Sequence, residues 1–408
     1  MNKNFKLFIL GRFVSILGTG IQNIALPLYI LDITKSAVMF GKFVSLTILP
    51  SILILPFVGV IADKLNKKKI MVNCDIVSGI LTFLMFLLVK YAKNPFYLLI
   101  VLQVLLLSVN SFFVSSTMAF FSEIVEGKDL KKASGISEVN NNLGKIVAPV
   151  IGGIIFMNFG IKWIFIINSI SFFLSAVTEM FIKYKKIKNN KEFKISFNMF
   201  FKDIKEVIEY ISKKNKLKEI VILAVFLNVI LMPIFTVVLP YGFRVILKMN
   251  SKEIGTIETI FVVGTLVSSI LYTKYNEKLK FGKYLLLLIF NLLLFAYGII
   301  FKSLTTDIFI YTLILYLLFS SLLTFINIPI MVEFQQLVDN NIKSRFFSIF
   351  IFLSQILVPL TSYIYGKILQ NFKINIFLFI CSILSIFFLI ILKNQFKKIN
   401  AFVGVENK

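Results

Sequence analysis

The chain is built from apolar blocks of about 20 residues separated by short basic gaps, and a block of that length is what an α-helix needs to cross a bilayer. Twelve such blocks fall near residues 5–31, 38–62, 69–90, 96–119, 134–157, 161–183, 218–246, 253–273, 283–302, 307–332, 346–370 and 374–394. Backbone polar groups inside lipid must be satisfied within the segment itself, so each block reads as a helix. The expected fold class is an all-α integral membrane protein, with twelve transmembrane helices in two six-helix halves. Composition agrees, at 58% hydrophobic and 16% charged residues with mean hydropathy +0.89. A soluble domain carries roughly a quarter of its residues charged.

The net charge of +24 would suggest nucleic acid in a soluble protein, but here the lysines crowd into the gaps between blocks. That distribution sets topology. With the N-terminus inside, the inner segments hold 31 lysines and arginines and the outer loops 9, which places both termini in the cytoplasm. The start, MNKNFKLFILGRFVSILG, lacks a small-residue cleavage site and reads as a retained first span. Cys74 and Cys381 lie in distant apolar segments, so neither a disulfide nor a metal site is expected. Histidine is absent, which leaves carboxylates for any proton coupling. No Gly-rich Lys-Ser/Thr loop is present for nucleotide, and no constellation suggests an enzyme.

A basic stretch divides the chain into an N-terminal six-helix half (1–183), a linker (184–217), a C-terminal half (218–394) and a cytoplasmic tail (395–408). The linker carries Phe197, Phe200, Phe201, Ile204, Val207, Ile208 and Ile211 at helical spacing, with Lys202, Asp203, Glu206 and Glu209 opposite. Such a helix lies along the cytoplasmic interface, linking two moving halves or binding lipid or a partner. DLKKASGIS (129–137) followed by KIVAP (145–149) has a counterpart in NIKSRFFS (341–348) followed by QILVP (355–359), an offset of about 210. Two similar halves in parallel relation match the architecture of the major facilitator transporters.

Between the second and third blocks lies GVIADKLNKKK, Gly59 to Lys69. Asp63 can pair with lysines or cap a nearby helix. Topology explains the lysines but not the placement of Gly59, Asp63 and Asn66. The stretch resembles the signature loop of the major facilitator superfamily, departing at Asn66, where the family has glycine. Asparagine tolerates a left-handed backbone, so the tight turn is expected to survive there. The resemblance implies a conformational latch made of Gly59, Asp63, Lys64, Asn66, Lys67 and Lys68, acting near Arg345 at the start of the eleventh span. In the fifth span, Gly144, Ala148, Pro149, Gly152 and Gly153 are similar to the antiporter motif of drug exporters, with Ala148 in place of a glycine. Proline bends the helix and small residues let a partner helix approach.

Ala25-Leu26-Pro27-Leu28, Ser36-Ala37, Leu49-Pro50, Pro56-Phe57-Val58-Gly59 and Ser122-Glu123-Ile124-Val125 resemble the macrolide-efflux-like branch of the drug:proton antiporters. In the C-terminal half the resemblance rests on Gln336-Leu337-Val338 and Ser344-Arg345-Phe346-Phe347-Ser348. Two features of relatives are missing. The fourth span has no charge between Tyr97 and Ala119, and Thr19 stands where relatives often place an acid.

Charges inside spans are costly unless paired or functional. Arg12 and Asp75 lie at similar depth and can pair, and Glu138 and Lys145 lie two turns apart on one face of the fifth span. These four are the coupling or gating candidates. Glu179, Glu258 and Glu333 sit nearer span ends, where hydration suffices. Gln22, Asn23, Asn110, Asn141, Asn142, Asn168, Asn228, Asn291, Asn327 and Gln355 either line a cavity or hydrogen-bond between helices.

The resemblance implies an exporter of small, hydrophobic or amphipathic molecules of the drug or macrolide type, working by alternating access in exchange for protons. The expected protein is a monomer in a bacterial plasma membrane. Its partners are a small-molecule substrate and membrane lipids, not nucleic acid. The proton gradient takes the place of a cofactor, and no metal is expected. The alternatives are a same-fold facilitator of a siderophore, peptide or metabolite, and a non-transporting membrane sensor or scaffold.

Overall fold

The computed structural model describes residues 3–64, 66–125, 129–183, 197–275, 283–303, 308–339 and 341–406, and among them every regular element is a helix. Helices α1 (Lys3–Thr34), α2 (Ala37–Lys64), α3 (Lys67–Tyr91), α4 (Phe96–Ile124), α5 (Leu130–Phe159) and α6 (Ile161–Met180) correspond to the first six blocks. Next come α7 (Phe197–Lys213) and a rod that starts as α8 (Asn215–Phe226) and passes through α9 (Leu239–Tyr241). The remaining helices are α10 (Ser251–Tyr275), α11 (Lys283–Ser303), α12 (Ile308–Leu337), α13 (Lys343–Gln355), α14 (Val358–Asn371) and α15 (Ile374–Glu406). Eleven spans among the described residues are long and apolar enough to cross a membrane, and Leu285–Phe301 in α11 is a shorter apolar helix.

Two blocks depart from simple rods. The seventh runs through wide turns at Leu227–Leu231, Ile234–Val238 and Gly242–Ile246, in which the Leu247 N–H reaches back five residues to the Gly242 carbonyl at 2.9 Å. Pro233 and Pro240 remove donors from this ladder, and wide turns absorb the mismatch. The eleventh block, expected to be continuous over 346–370, breaks at a turn over Ile356 and Leu357. Pro359 then enters the first turn of α14, where its missing N–H costs nothing.

Packing divides the chain into two compact units. The first comprises Met1–Lys35, Lys42–Ser196 and Met249–Thr259; the second comprises Ser36–Gly41, Phe197–Lys248 and Ile260–Lys408. Each unit therefore takes in the opening turns of one helix from the other half of the sequence.

In the first unit α6 packs on α1 and α3 through a buried stripe at helical spacing: Ile161, Ile164, Phe165, Asn168, Ser169, Ser171, Phe172, Ser175, Ala176 and Glu179. Five of those ten residues are polar. One residue joins α5 to α6, Gly160 at φ +76°, a conformation that side chains rarely adopt. The second unit is aromatic inside. Phe235 packs on Phe261, Phe290, Tyr316 and Phe319, and Phe243 on Tyr297, Phe301 and Tyr316, with ring centroids 5.3–6.3 Å apart. Such contacts add to area burial through edge-to-face geometry.

An internal repeat is visible in how backbones cross. In the first unit a Cβ at Gly255 would strike the Pro149 carbonyl, and one at Gly153 would strike the Ser251 carbonyl. In the second unit a Cβ at Gly41 would lie 2.7 Å from the Ser362 carbonyl, and one at Gly366 would lie 2.5 Å from the Ala37 carbonyl. Each residue of one set lies 213 or 214 positions from its counterpart. The turns preceding α2 and α10 repeat too, with Lys35 and Lys248 at φ 48° and 54°.

Candidate functional site

Three ionisable side chains lie within electrostatic range of one another inside the first unit. Arg12 on α1 is within electrostatic reach of both Glu179 on α6 and Asp75 on α3. Asp75 and Glu179 are each only 2% exposed. Asp75 Oδ2 and Glu179 Oε2 have no hydrogen-bond partner among the described residues. The Arg12 and Asp75 of the sequence reading are thus joined by a third member, Glu179, which had been assigned to a hydrated span end. Its signal lay in the α6 stripe, where Asn168, Ser171, Ser175 and Glu179 recur every three or four residues.

An apolar layer closes the helix-end side of this cluster. Phe8, Met71, Phe120, Ile124 and Ile182 are buried together with Phe113, and Cys74 packs against them. Phe8 and Met71 precede Arg12 and Asp75 by four residues, about one turn. Toward the other end the core is polar. The Gln22 amide donates to Gln103 Oε1 at 3.3 Å and to Met85 Sδ at 3.7 Å, and its oxygen accepts from Asn168 Nδ2 at 2.7 Å. Ser171 Oγ donates to Asn168 Oδ1 at 3.0 Å. Gln22 and the Asn168 Nδ2 thus spend their polar atoms on interhelical bonds, while Asn168 Oδ1 is held within α6.

The fifth-span motif divides into two faces. Gly144, Ala148 and Gly152, four residues apart, face α1: a Cβ on Gly152 would lie 3.0 Å from Ile21, and one on Gly20 would lie 2.5 Å from the Ala148 Cβ. Pro149 and Gly153 face α10, where Thr259 Oγ1 also donates to the Ile146 carbonyl at 3.0 Å. At about 100° per residue, Lys145 and Glu138 fall in the sector between these faces. Both are exposed, and Glu138 accepts from Asn142 Nδ2 at 3.3 Å.

In the loop motif, Gly59, Asp63 and Lys64 have side-chain positions outside the described residues, and Leu65 lies outside them altogether. Asn66 corrects an expectation. Its backbone is extended at φ −75°, ψ 108°, not left-handed, and its Oδ1 accepts from the Lys69 N–H at 3.1 Å. Asn66 is the N-cap of α3, a position for which asparagine is among the best residues. The three lysines that follow oppose the helix dipole, and two of them find acceptors. Lys67 pairs with Glu123 at the end of α4, and Lys68 Nζ donates to the Met180 carbonyl at 2.7 Å.

Arg345, placed near the latch by the sequence reading, is engaged within the second unit. Its guanidinium donates to Glu206 Oε2 at 2.9 Å and Asp203 Oδ1 at 3.3 Å, both on α7. At the other end of that helix Lys214 Nζ reaches Asp339 at 3.0 Å, Tyr210 Oη at 2.7 Å and the Leu337 carbonyl at 3.2 Å. Hydrogen bonds from Lys214 and Tyr210 hold the Asp339 carboxyl below the ordinary aspartate range. Val207 and Ile211 are buried, so α7 is docked on its own unit.

The other amides are scattered. Asn23, Asn110, Asn327 and Gln355 are exposed; Asn141 is half-buried, and its Oδ1 lacks a hydrogen bond among the described residues. Asn228 and Asn291 donate to carbonyls of their own helices, Ala224 at 2.9 Å and Leu287 at 2.8 Å.

Residues 8–361 match the Major Facilitator Superfamily. The MFS-type transporter YkuC of Bacillus subtilis is 26% identical over 73% of this chain and 71% of its own length. The enterobactin exporter EntS of Shigella flexneri is 30% identical over 39% of each chain. Macrolide efflux protein A of Streptococcus pyogenes is 21% identical over 43% of this chain and 44% of that relative, in line with the branch resemblance in the sequence. Among solved structures, a point mutant of the nucleoside transporter NupG superposes with TM-score 0.74 at 14% identity, covering 96% of this chain and 100% of that one. A bacterial homologue of the iron transporter ferroportin gives 0.70 at 15% identity, covering 97% and 98%. Helices long enough to span lipid, the duplicated crossings and these matches agree: the chain is a multi-pass membrane transporter, not an enzyme, and it belongs to the Major Facilitator Superfamily.

Proposed function

We propose that the protein exports small amphipathic molecules from a bacterial cytoplasm by alternating access, in exchange for protons, with both termini cytoplasmic. The observation that carries this reading is a buried ionisable cluster in the first unit of a chain whose named relatives include two exporters. A proton-coupled transporter needs a group whose charge changes during the cycle. Arg12, Asp75 and Glu179 are ionisable groups on three packed spans, where an idle charge would be a cost without return. Lys145 and Glu138, exposed on α5, are candidates for contact with cargo, and Asp63 remains the candidate latch.

The cargo divides into two readings. A macrolide-type molecule accords with the N-terminal motifs and with macrolide efflux protein A. A siderophore accords with the enterobactin exporter, the more identical of the two over its aligned segment. Both predict the same first result: purified protein in proteoliposomes collapses an imposed pH gradient when a cargo is added. A panel of macrolides, hydrophobic cations and catecholate siderophores then separates them. Silence across the panel, together with no protection of a pump-deficient host, contradicts export of either class.

A further inference from the structure

We infer that the flank of the α5–α10 crossing is a cargo subsite, where Glu258 takes the ammonium group of an amine-bearing amphipathic molecule and Lys145 donates to that molecule's neutral oxygens. The inference rests on the exporter reading above and narrows its cargo class.

Three contacts fix how the two helices meet. Gly153 lies against Ser251, Pro149 against Gly255, and the Ile146 carbonyl accepts from Thr259 Oγ1 at 3.0 Å. The helices are therefore antiparallel, and all six residues belong to the first unit, as does Glu258. In this register Glu258 and Lys145 differ in depth by only about 2 Å of helical rise. At about 100° per residue, Lys145 points about 70° away from the line joining the two axes, and Glu258 about 60°. Antiparallel helices are related by a two-fold axis perpendicular to that line and to both rods. Equal senses of rotation then fall on one side, and these two residues share the sense. Helix α1 stands on that side too, packed on Gly144, Ala148 and Gly152. An acid and a base thus project at one level into a groove walled by α1, α5 and α10.

The acid is the group in need. Glu258 sits seven residues into α10, half-buried, and has neither a hydrogen bond nor an ion pair among the described residues. A carboxylate inside a span is costly without a partner. Lys145 has no partner among them either, but it is exposed. Other charges are displaced from this level. Glu138, in the same sector of α5, lies two turns nearer the cytoplasm and is bonded to Asn142. Arg12 on α1 lies nearly two turns nearer the cytoplasm, in the register where Gly20 meets Ala148. Lys252 on α10 falls on the opposite side of the crossing line. An ammonium group on the cargo gives Glu258 a charge-assisted hydrogen bond, and carbonyl, ether or hydroxyl oxygens of the same molecule accept from Lys145. A polyanionic catecholate would bring like charge against Glu258. Of the two cargo readings, the groove favours the amine-bearing one.

The test is calorimetric binding to the full chain in lipid nanodiscs. The probes are erythromycin, which carries a tertiary amine, its neutral N-demethyl-N-acetyl derivative, and enterobactin. Erythromycin is expected to bind tightest. Glu258→Gln should weaken it about tenfold or more and leave the neutral derivative unchanged. Lys145→Met should weaken both macrolides alike. Glu258→Lys should abolish erythromycin binding, and adding Lys145→Glu should restore part of it, because the charges have only changed places. Glu258→Gln keeps shape and volume, and a retained melting transition separates a lost contact from a lost fold. Equal loss of both macrolides in Glu258→Gln, or no rescue by the swap in a folded double variant, overturns the subsite. A wild type that binds neither macrolide, or that prefers enterobactin, overturns the amine assignment. The groove itself is tested without cargo. With Cys74 and Cys381 replaced by alanine, Lys145→Cys and Glu258→Cys should be joined by a bismaleimide spanning about 10 Å, found by peptide mass spectrometry. Failure to cross-link overturns the shared groove. If erythromycin binding tracks Glu258 but erythromycin collapses no pH gradient in proteoliposomes, the exporter reading fails and the subsite stands.

Discussion

The interiors of the two units are made of different material. The first packs α1, α3 and α6 around Arg12, Asp75, Glu179, Gln22 and Asn168; the second packs its rod and α10–α12 around Phe235, Phe243, Phe290, Tyr297, Tyr316 and Phe319. Yet their backbones cross at equivalent places, with Gly255 against Pro149 in one and Gly41 against Ser362 in the other. A repeated scaffold thus carries two chemistries. Hydrogen bonds and buried charge in the first unit respond to protons and hydration, whereas stacked rings in the second do not titrate near neutrality. On the function proposed above, coupling falls to the first unit, although the second also buries a carboxylate, Glu219 on α8.

Substitutions can break this comparison in graded steps. The largest stability loss is expected in the aromatic core: Phe319→Ala should cost roughly 3–5 kcal/mol, read as a lowered thermal midpoint in detergent. The two crossings come next. Gly255→Leu and Gly41→Leu should each cost about 1–3 kcal/mol and depress transport to similar extents. A large effect at one and none at the other would refute their equivalence. Gln22→Leu should cost only about 1 kcal/mol, because bilayer hydrogen bonds are modest, but should alter transport more than melting.

The smallest effect is expected at the α7 dock. Arg345→Ala should loosen the amide-exchange protection of α7, with the difference fading in high salt. The neighbouring Lys214–Asp339 contact has a defined pH sense. Since the folded state lowers the Asp339 value, its contribution is complete above the ordinary aspartate range and is lost as pH falls through the lowered value. Protection at the end of α7 should therefore hold at neutral and mildly acid pH and decline only in stronger acid.

Much of the scaffold is legible in the residues, because a block of apolar residues in lipid has one backbone solution. The fifth-span motif is legible for a similar reason: small residues four apart, Gly144, Ala148 and Gly152, can only mean a close neighbour. Which neighbour is not written there, and Gly255 and Gly366 emerge only from the fold. Asn66 was misassigned because asparagine suits both a left-handed turn and an N-cap; the helical run beginning at Lys67 was the cue for the cap. Asp203 and Glu206 read as a solvated face until Arg345, 139 residues beyond Glu206, came to lie against them. Glu179 was hidden by its nearness to a span end, since depth along a helix says nothing about which side of it is packed.

On the proposed function, protons enter the first unit and not the second. Its most direct test is cargo-driven proton flux in proteoliposomes of the wild type and of Glu179→Gln, with cargo counterflow measured in the same vesicles. The account predicts flux in the wild type, none in the variant, and counterflow in both; undiminished flux in Glu179→Gln would contradict it.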